Sequence, residues 1–108
     1  MFEFLRMKKA AKEIFIDENY IDALKLKHQY GKIIKVVNGE LRKGNQAGFL
    51  YEALADAIEK TSKKPDYNKL IGFYSQAIKS NPQNFVLYRQ RGKFKHVLGQ
   101  LTEAEKDL

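Results

Sequence analysis

The side chains suited to acid–base or metal chemistry are few in this chain and lie far apart. His28 and His96 are its only histidines, and the sequence around them places them on different elements. Neither has a second histidine four residues away, and the chain has no cysteine, so the usual ligand spacing of a metal site is missing. These residues predict neither a catalytic pair nor a metal site. We therefore expect a protein that is no enzyme and needs no cofactor.

Two further patterns match functional motifs only in part. Glu52 and Asp56 are four residues apart, which puts both carboxylates on one face of a helix, where they can hold a hard cation or pair with nearby lysines. The segment 39–44 has the glycine spacing of a phosphate-binding loop, but Asn45 and Gln46 stand where that loop requires Lys and Ser or Thr. The patterns favour charged helix surfaces with salt bridges over a catalytic site.

The composition is that of a folded chain without a membrane segment. The protein has 108 residues, of which 44% are hydrophobic, enough for one compact domain or a short stack of helices. No stretch approaches the roughly 20 apolar residues of a membrane-spanning helix. Glu3, Glu13 and Asp17 interrupt the N-terminal region, which therefore lacks the apolar core of a secretion signal. From these features we expect a cytoplasmic protein.

The charge balance is basic. The formal net charge of +7 at pH 7 favours acidic partners, among them acidic peptides and nucleic acid. The densest group of cations comprises Arg89, Arg91, Lys93 and Lys95. Aromatic residues interleave with this group, as in many nucleic-acid-binding surfaces, although helical spacing divides it between two faces. A basic helical nucleic-acid-binding protein is the alternative to the function favoured below.

The elements that must position these residues are helices. One is predicted by apolar and small residues at the spacing of a single helix face, namely Tyr51, Leu54, Ala55 and Ile58. A second begins after Asp66, whose side chain is placed to cap it, and ends at Asn81-Pro82. The loop between the two helices, residues 61–65, is about three residues longer than a tight turn.

A further helix pair begins at Phe85. Gly92 and Ala104 are small enough for two helices to approach closely, while Tyr88 supplies aromatic packing. Leu98-Gly99 closes the first helix of this pair. Aromatic, small and turn residues in this order resemble the tetratricopeptide repeat, a helix-turn-helix unit of about 34 residues.

The same pattern is weaker over the first 47 residues. The spacing of a first helix is kept by Met7, Ala10, Ala11 and Ile14, and that of a second by Tyr20 and Ala23. Residues 31–48 either extend that second helix through Leu41 or form a hairpin around Asn38-Gly39. We favour the helix, with Asn38-Gly39 or Gly44 as its left-handed cap, because an isolated two-stranded hairpin is marginal in water.

The resemblance implies an all-α fold of antiparallel helix-turn-helix repeats, stacked as a short right-handed α-α superhelix. We expect one domain over residues 1–108, with a degenerate repeat at 4–47, a repeat at 48–84 and an incomplete repeat at 85–108. Repeats of this family are non-catalytic scaffolds or adaptors for a protein or peptide partner. In them, the positions just after the aromatic residue line a concave groove. Carried over to this chain, the partner-binding positions are Lys8, Lys12, Glu52, Asp56, Arg89 and Lys93.

The C-terminal region departs from the family pattern in two ways. Arg91 and Lys95 stand where the family usually has Leu and Tyr, which predicts a terminal or exposed face. The last predicted helix opens with a capping box at Thr102–Glu105 but reaches only Leu108, short of a full repeat. Because a solenoid must cover its last apolar face, we expect either a fragment of a longer protein or self-association through this helix.

Overall fold

The computed structural model describes residues 15–99 and 106–107, and within them every regular element is a helix. The five long helices are α1 (Glu18–Leu26), α2 (Tyr30–Arg42), α3 (Gly48–Thr61), α4 (Tyr67–Ser80) and α5 (Phe85–Val97). Each packs on the next one along the chain, as short connections between antiparallel helices favour. The predicted all-α fold of consecutively stacked helices is confirmed.

Local sequence explains where the helices begin. Asp17 and Asp66 each accept a hydrogen bond from the backbone amide three residues further on, at 2.9 and 3.3 Å. Asn84 accepts one from the amide two residues further on, at 3.0 Å. These side chains satisfy amides that have no partner within the first helical turn. The cap predicted at Asp66 is confirmed, and α4 ends directly before Asn81-Pro82, as expected.

Residues 31–48 are helical over most of their length, and the hairpin is excluded. Gly44 follows the end of α2 with φ 94°, the left-handed cap that the helical interpretation required. However, α2 does not continue α1. The chain turns at His28, which has φ 55°, and the amide of Gln29 donates to the carbonyl of Leu24 at 2.9 Å. The turn lets both helices bury their apolar residues in one cluster, which a single straight helix cannot do.

Two apolar clusters hold the stack together, and α3 contributes to both. The first comprises Ile21, Leu24, Ile33, Val37, Leu50, Ala53, Leu54 and Ala57. The second comprises Ala55, Leu70, Tyr74, Ala77, Ile78, Leu87 and Phe94. Alanines of α3 occur in both clusters, and their small side chains let α2 and α4 approach it from different directions.

A close helix approach lies at Gly48, the first residue of α3. A Cβ atom there would lie 2.7 Å from Cβ of Ser80 and 3.2 Å from the carbonyl oxygen of Ala77. Only glycine leaves room for the end of α4 at this point. Sequence reasoning assigned such an approach to Gly92 instead. Gly92 is buried in α5, but its close approach to a neighbouring helix stays a prediction.

Several predicted features lie outside the described residues. They are the helix over Met7–Ile14 with Lys8 and Lys12, and the capping box at Thr102–Glu105. In the described part of the chain, the two helices that precede α3 are α1 and α2. Gly99, with φ 78°, follows the end of α5 as the predicted turn. No helix among the described residues is long and apolar enough to cross a membrane.

Candidate functional site

A groove lies between α1, the start of α3 and the turn that joins α4 to α5. It consists of two adjoining cavities of about 240 and 190 Å³. The residues that line both of them are Glu18, Phe49, Glu52 and Asn81. Each cavity is smaller than the roughly 300–1,000 Å³ of typical small-molecule sites. Their size suits individual side chains of a protein partner better than a cofactor.

Carboxylates dominate the lining of the larger cavity. Glu18 and Asp22 come from α1 and Glu52 comes from α3, while Lys25 is the one cation among the described residues that line it. Because α1 buries Ile21 in the first apolar cluster, its acidic residues at i and i+4 are left at the edge of the groove. The groove therefore carries excess negative charge on a chain whose net charge is positive.

The environment of Glu52 reflects this excess. Its partial burial raises the pKa of its carboxyl group most. Lys25 opposes this rise, and the carboxylates of Asp56, Glu18 and Asp22 each add to it by less than Lys25 subtracts. Glu52 makes no hydrogen bond and no ion pair with any other described residue. It is a partly buried carboxylate whose charge Lys25 offsets only in part.

The acidic surface continues along α3. Glu52, Asp56 and Glu59 follow at i, i+4 and i+7, which places them on one helix face; we call these three residues the α3 stripe. Asp56 pairs with Lys60 at 3.5 Å, and Glu59 pairs with Lys93 of α5 at 2.9 Å. Both lysine side chains are 49% exposed. Exposed pairs of this kind contribute roughly 0.2–1 kcal/mol, so another cation can replace them easily.

Tyr74 of α4 lies close enough to the α3 stripe for its carboxylates to act on the hydroxyl group. Only 3% of Tyr74 is exposed, and its ring stacks on Phe94 with a centroid distance of 5.8 Å. Burial raises its pKa, as do the carboxylates of Asp56, Glu59 and Glu52. The Tyr74 hydroxyl has no hydrogen-bond partner among the described residues. Every fully buried side-chain polar atom of those residues does have a partner. The Tyr74 hydroxyl is therefore not fully buried and reaches the solvent-accessible surface.

The structure brings only some of the predicted site residues together. Glu52 lines the groove, Asp56 follows it on the α3 stripe, and Lys93 contacts the end of that stripe through Glu59. Arg89 is exposed on α5 and does not line either cavity. The two predicted lysines of the first helix lie outside the described residues.

The sequence analysis did not predict that α1 and the α4–α5 turn line the groove. Glu18 and Asp22 carry a readable signal, since acidic residues at i and i+4 beside a buried stripe mark a helix edge. Asn81 and Tyr74 carry no such signal. Their place in or beside the groove depends on the packing of α4 against α3, which is a long-range property.

The cations of α5 are mostly engaged within the protein. Arg91 donates two hydrogen bonds to the carboxylate of Asp107, both at 2.7 Å, and Lys95 approaches the same carboxylate at 3.0 Å. The exposed fractions of these side chains are 19% for Arg91, 13% for Lys95 and 4% for Asp107. Of the predicted alternatives for Arg91 and Lys95, the exposed face is wrong, because Asp107 supplies the counter-charge that lets both approach the protein; the terminal face stays a prediction.

These contacts weaken the case for nucleic-acid binding. Arg91 and Lys95 are committed to Asp107, and Lys93 pairs with Glu59. A phosphate backbone would have to displace these carboxylates before it could use the same cations. Of the basic group on α5, Arg89 is exposed and forms no ion pair with a described residue.

No group of three or more histidine or carboxylate side chains in the described part of the chain is arranged to hold a metal ion. In comparisons with other proteins, no family model, curated protein or solved structure matches this chain. What the groove can bind follows from its own geometry and charge.

Proposed function

We propose that this protein is a non-catalytic, tetratricopeptide-like interaction module that binds a segment of another protein in its groove. The observation that carries the proposal is the convergence of side chains from α1, α3 and the α4–α5 turn on one concave site with an excess of carboxylates. A partly buried carboxylate whose charge is offset only in part destabilises the isolated protein. A partner that supplies the missing charge and hydrogen bonds removes that cost.

The order of the helices also supports the proposal. Helices pack mainly on their chain neighbours, so α1 and α3, which are separated by α2, can present side chains to the same groove. In the tetratricopeptide repeat, which this chain resembles, helices of successive repeats likewise line one concave groove. The small, polar cavities suit single side chains of an extended segment.

The test is selection of peptide ligands from a random display library on the intact protein. Selected peptides should lose binding to a Glu52→Lys variant, which reverses a charge in the groove. Binding should persist in a Glu40→Lys variant, which makes the same charge change on α2, outside both cavities. Single-stranded and duplex DNA, added as competitors, should not displace the peptides.

Two outcomes would contradict the proposal. One is that no peptide survives selection. The other is that selected peptides bind the Glu52→Lys and Glu40→Lys variants equally, which would place the binding surface elsewhere.

A further inference from the structure

We infer that the groove binds a basic segment, with a Lys or Arg side chain of the partner placed between the acidic edge of α1 and the α3 stripe. This inference rests on the proposed peptide-binding function and specifies the chemistry of the partner. It runs against the bulk charge of the chain, which by itself favours acidic partners.

Charge complementarity is the first argument. The groove and the α3 stripe carry Glu18, Asp22, Glu52, Asp56 and Glu59. The neighbouring helices α2 and α4 instead expose lysines, namely Lys32, Lys35, Lys69 and Lys79. A basic segment is repelled by those lysines and attracted only where the carboxylates lie. This arrangement selects both the partner and its position on the surface.

The shape of the lining is the second argument. Phe49 lines both cavities beside Glu52, in a lining that is otherwise mostly polar. A Lys or Arg side chain has an apolar stem and a charged end, so its stem can lie against Phe49 while its end meets the carboxylates. Asn81, on the opposite rim, carries an amide that can hydrogen-bond to the backbone of a bound segment.

The Tyr74 hydroxyl is an independent third argument. Tyr74 is almost fully buried, yet its hydroxyl has no hydrogen-bond partner among the described residues and reaches the surface. The carboxylates of Asp56, Glu59 and Glu52 are near enough to influence it. A phenol oxygen can accept a hydrogen bond from an ammonium or guanidinium group, so a cation bound along the α3 stripe can also use Tyr74.

The free protein already fills part of this surface with its own cations. Lys60 and Lys93 pair with Asp56 and Glu59, and both lysines remain half exposed. Because such pairs are weak, cations of a partner can exchange with them. Glu52 has no such pair, so we place the strongest contact of the partner there.

The experiment measures binding of labelled peptides to the intact protein by fluorescence anisotropy. The probe is a peptide of about nine residues in which lysine alternates with alanine, and the two matched peptides carry glutamate or glutamine in place of lysine. The groove variant is Glu52→Gln with Asp56→Asn. Its control, Glu40→Gln with Asp66→Asn, makes the same charge change outside the groove. Asparagine is as good a helix cap as aspartate, so the control keeps the start of α4.

The lysine peptide should bind the wild type and the control alike, and about tenfold more weakly to the groove variant, which corresponds to about 1.4 kcal/mol. The glutamine and glutamate peptides should bind at least tenfold more weakly than the lysine peptide. Tyr74→Phe should weaken lysine-peptide binding about threefold, with an unchanged circular dichroism spectrum, because the ring and its stacking remain.

Other outcomes separate this inference from the proposed function. If the glutamate peptide binds best and Lys93→Ala abolishes its binding, the groove binds peptides but the basic-partner inference is wrong. If the lysine peptide binds the groove variant and the control equally, the attraction is nonspecific and the inference also fails. If neither these peptides nor a display library yields a ligand, the proposed function fails with it.

Discussion

Glu52 and Asp107 are two carboxylates removed from full contact with water, and they lie in opposite environments. At Asp107, burial alone would raise the pKa, but hydrogen bonds from Arg91 and Lys95 outweigh burial and lower it. At Glu52, burial and neighbouring carboxylates raise the pKa, and Lys25 offsets only part of the rise. The groove beside α3 and the C-terminal part of the described chain therefore place the same functional group in opposite environments.

The difference separates a structural charge from a charge that is free to bind. The ion pairs of Asp107 satisfy it within the protein, so it stabilises the fold and has little left to offer a partner. Glu52 has no ion pair among the described residues and its partial burial disfavours the charged form, so it destabilises the isolated fold and gains from a cation brought to it. Functional sites are commonly built from groups of the second kind, and the following predictions test whether this contrast holds.

Removal of Asp107 should have the largest effect. Asp107→Ala leaves Arg91 and Lys95 close together without their shared counter-charge, so the free energy of unfolding should fall by about 2–3 kcal/mol. Urea denaturation followed by circular dichroism measures the loss. As a comparison, Glu59→Ala removes only an exposed pair and should cost less than about 1 kcal/mol. Equal losses in the two variants would show that Asp107 is no structural charge.

A clash at Gly48 should disturb the groove without altering any charge. Gly48→Ala places a Cβ against Ser80 and Ala77, and overpacking should lower the free energy of unfolding by about 1–3 kcal/mol. Gly72→Ala is the matched control, since no atom lies within 4 Å of the new methyl group. That variant should stabilise α4 by roughly 0.5–1 kcal/mol. If Gly48→Ala is also stabilising, the α3–α4 approach is looser than described.

Neutralisation of Glu52 should change the free energy of unfolding less than removal of Asp107, and in the opposite direction. Glu52→Gln removes a partly buried charge from among other carboxylates and should raise the free energy of unfolding by roughly 0.5 kcal/mol at pH 7. Thermal melts of this variant and of Glu40→Gln measure the gain against a carboxylate outside the groove. A loss of stability in Glu52→Gln would mean that a cation of the protein already satisfies Glu52.

The contributions of Asp107 and Glu52 to the free energy of unfolding should also change with pH in opposite directions, and these changes should be the smallest of the effects. The lowered pKa of Asp107 means that its stabilisation is present above the ordinary value of 3.8 and is lost as pH falls through its folded-state pKa. The raised pKa of Glu52 means that its cost is absent below the ordinary value of 4.5 and grows as pH rises through its folded-state pKa.

Melting temperatures of the wild type, Asp107→Asn and Glu52→Gln between pH 3 and pH 7 test both signs. The deficit of Asp107→Asn should shrink toward pH 3, and the advantage of Glu52→Gln should vanish there. Parallel curves for all three proteins would show that neither carboxyl group titrates differently in the folded and unfolded states.

Prediction from the sequence worked where the controlling contacts are local. The cap at Asp66, the end of α4 before Asn81-Pro82 and the left-handed glycine after α2 each depend on residues within a few positions. The preference for helix over hairpin around residue 38 rests on the marginal stability of an isolated two-stranded hairpin in water. The turn at His28 was missed, because a histidine in the left-handed region has no distinctive sequence signature.

The candidate site was predictable only in part, because only some of its contacts are local in the sequence. Glu52 and Asp56 were singled out because their spacing puts them on one helix face. The sequence around Asp107 does not indicate that its carboxylate forms ion pairs with Arg91 and Lys95 of a separate helix.

The sequence by itself determined the helices, their caps and the positive net charge, since these depend on composition and on neighbours within one or two turns. Only the tertiary structure decided where the charge resides. Packing pairs the cations of α5 with Asp107 and Glu59, and it gathers carboxylates of α1 and α3 around one groove. Electrostatic interactions depend on distance and burial in space, and a linear spacing of residues specifies neither between helices.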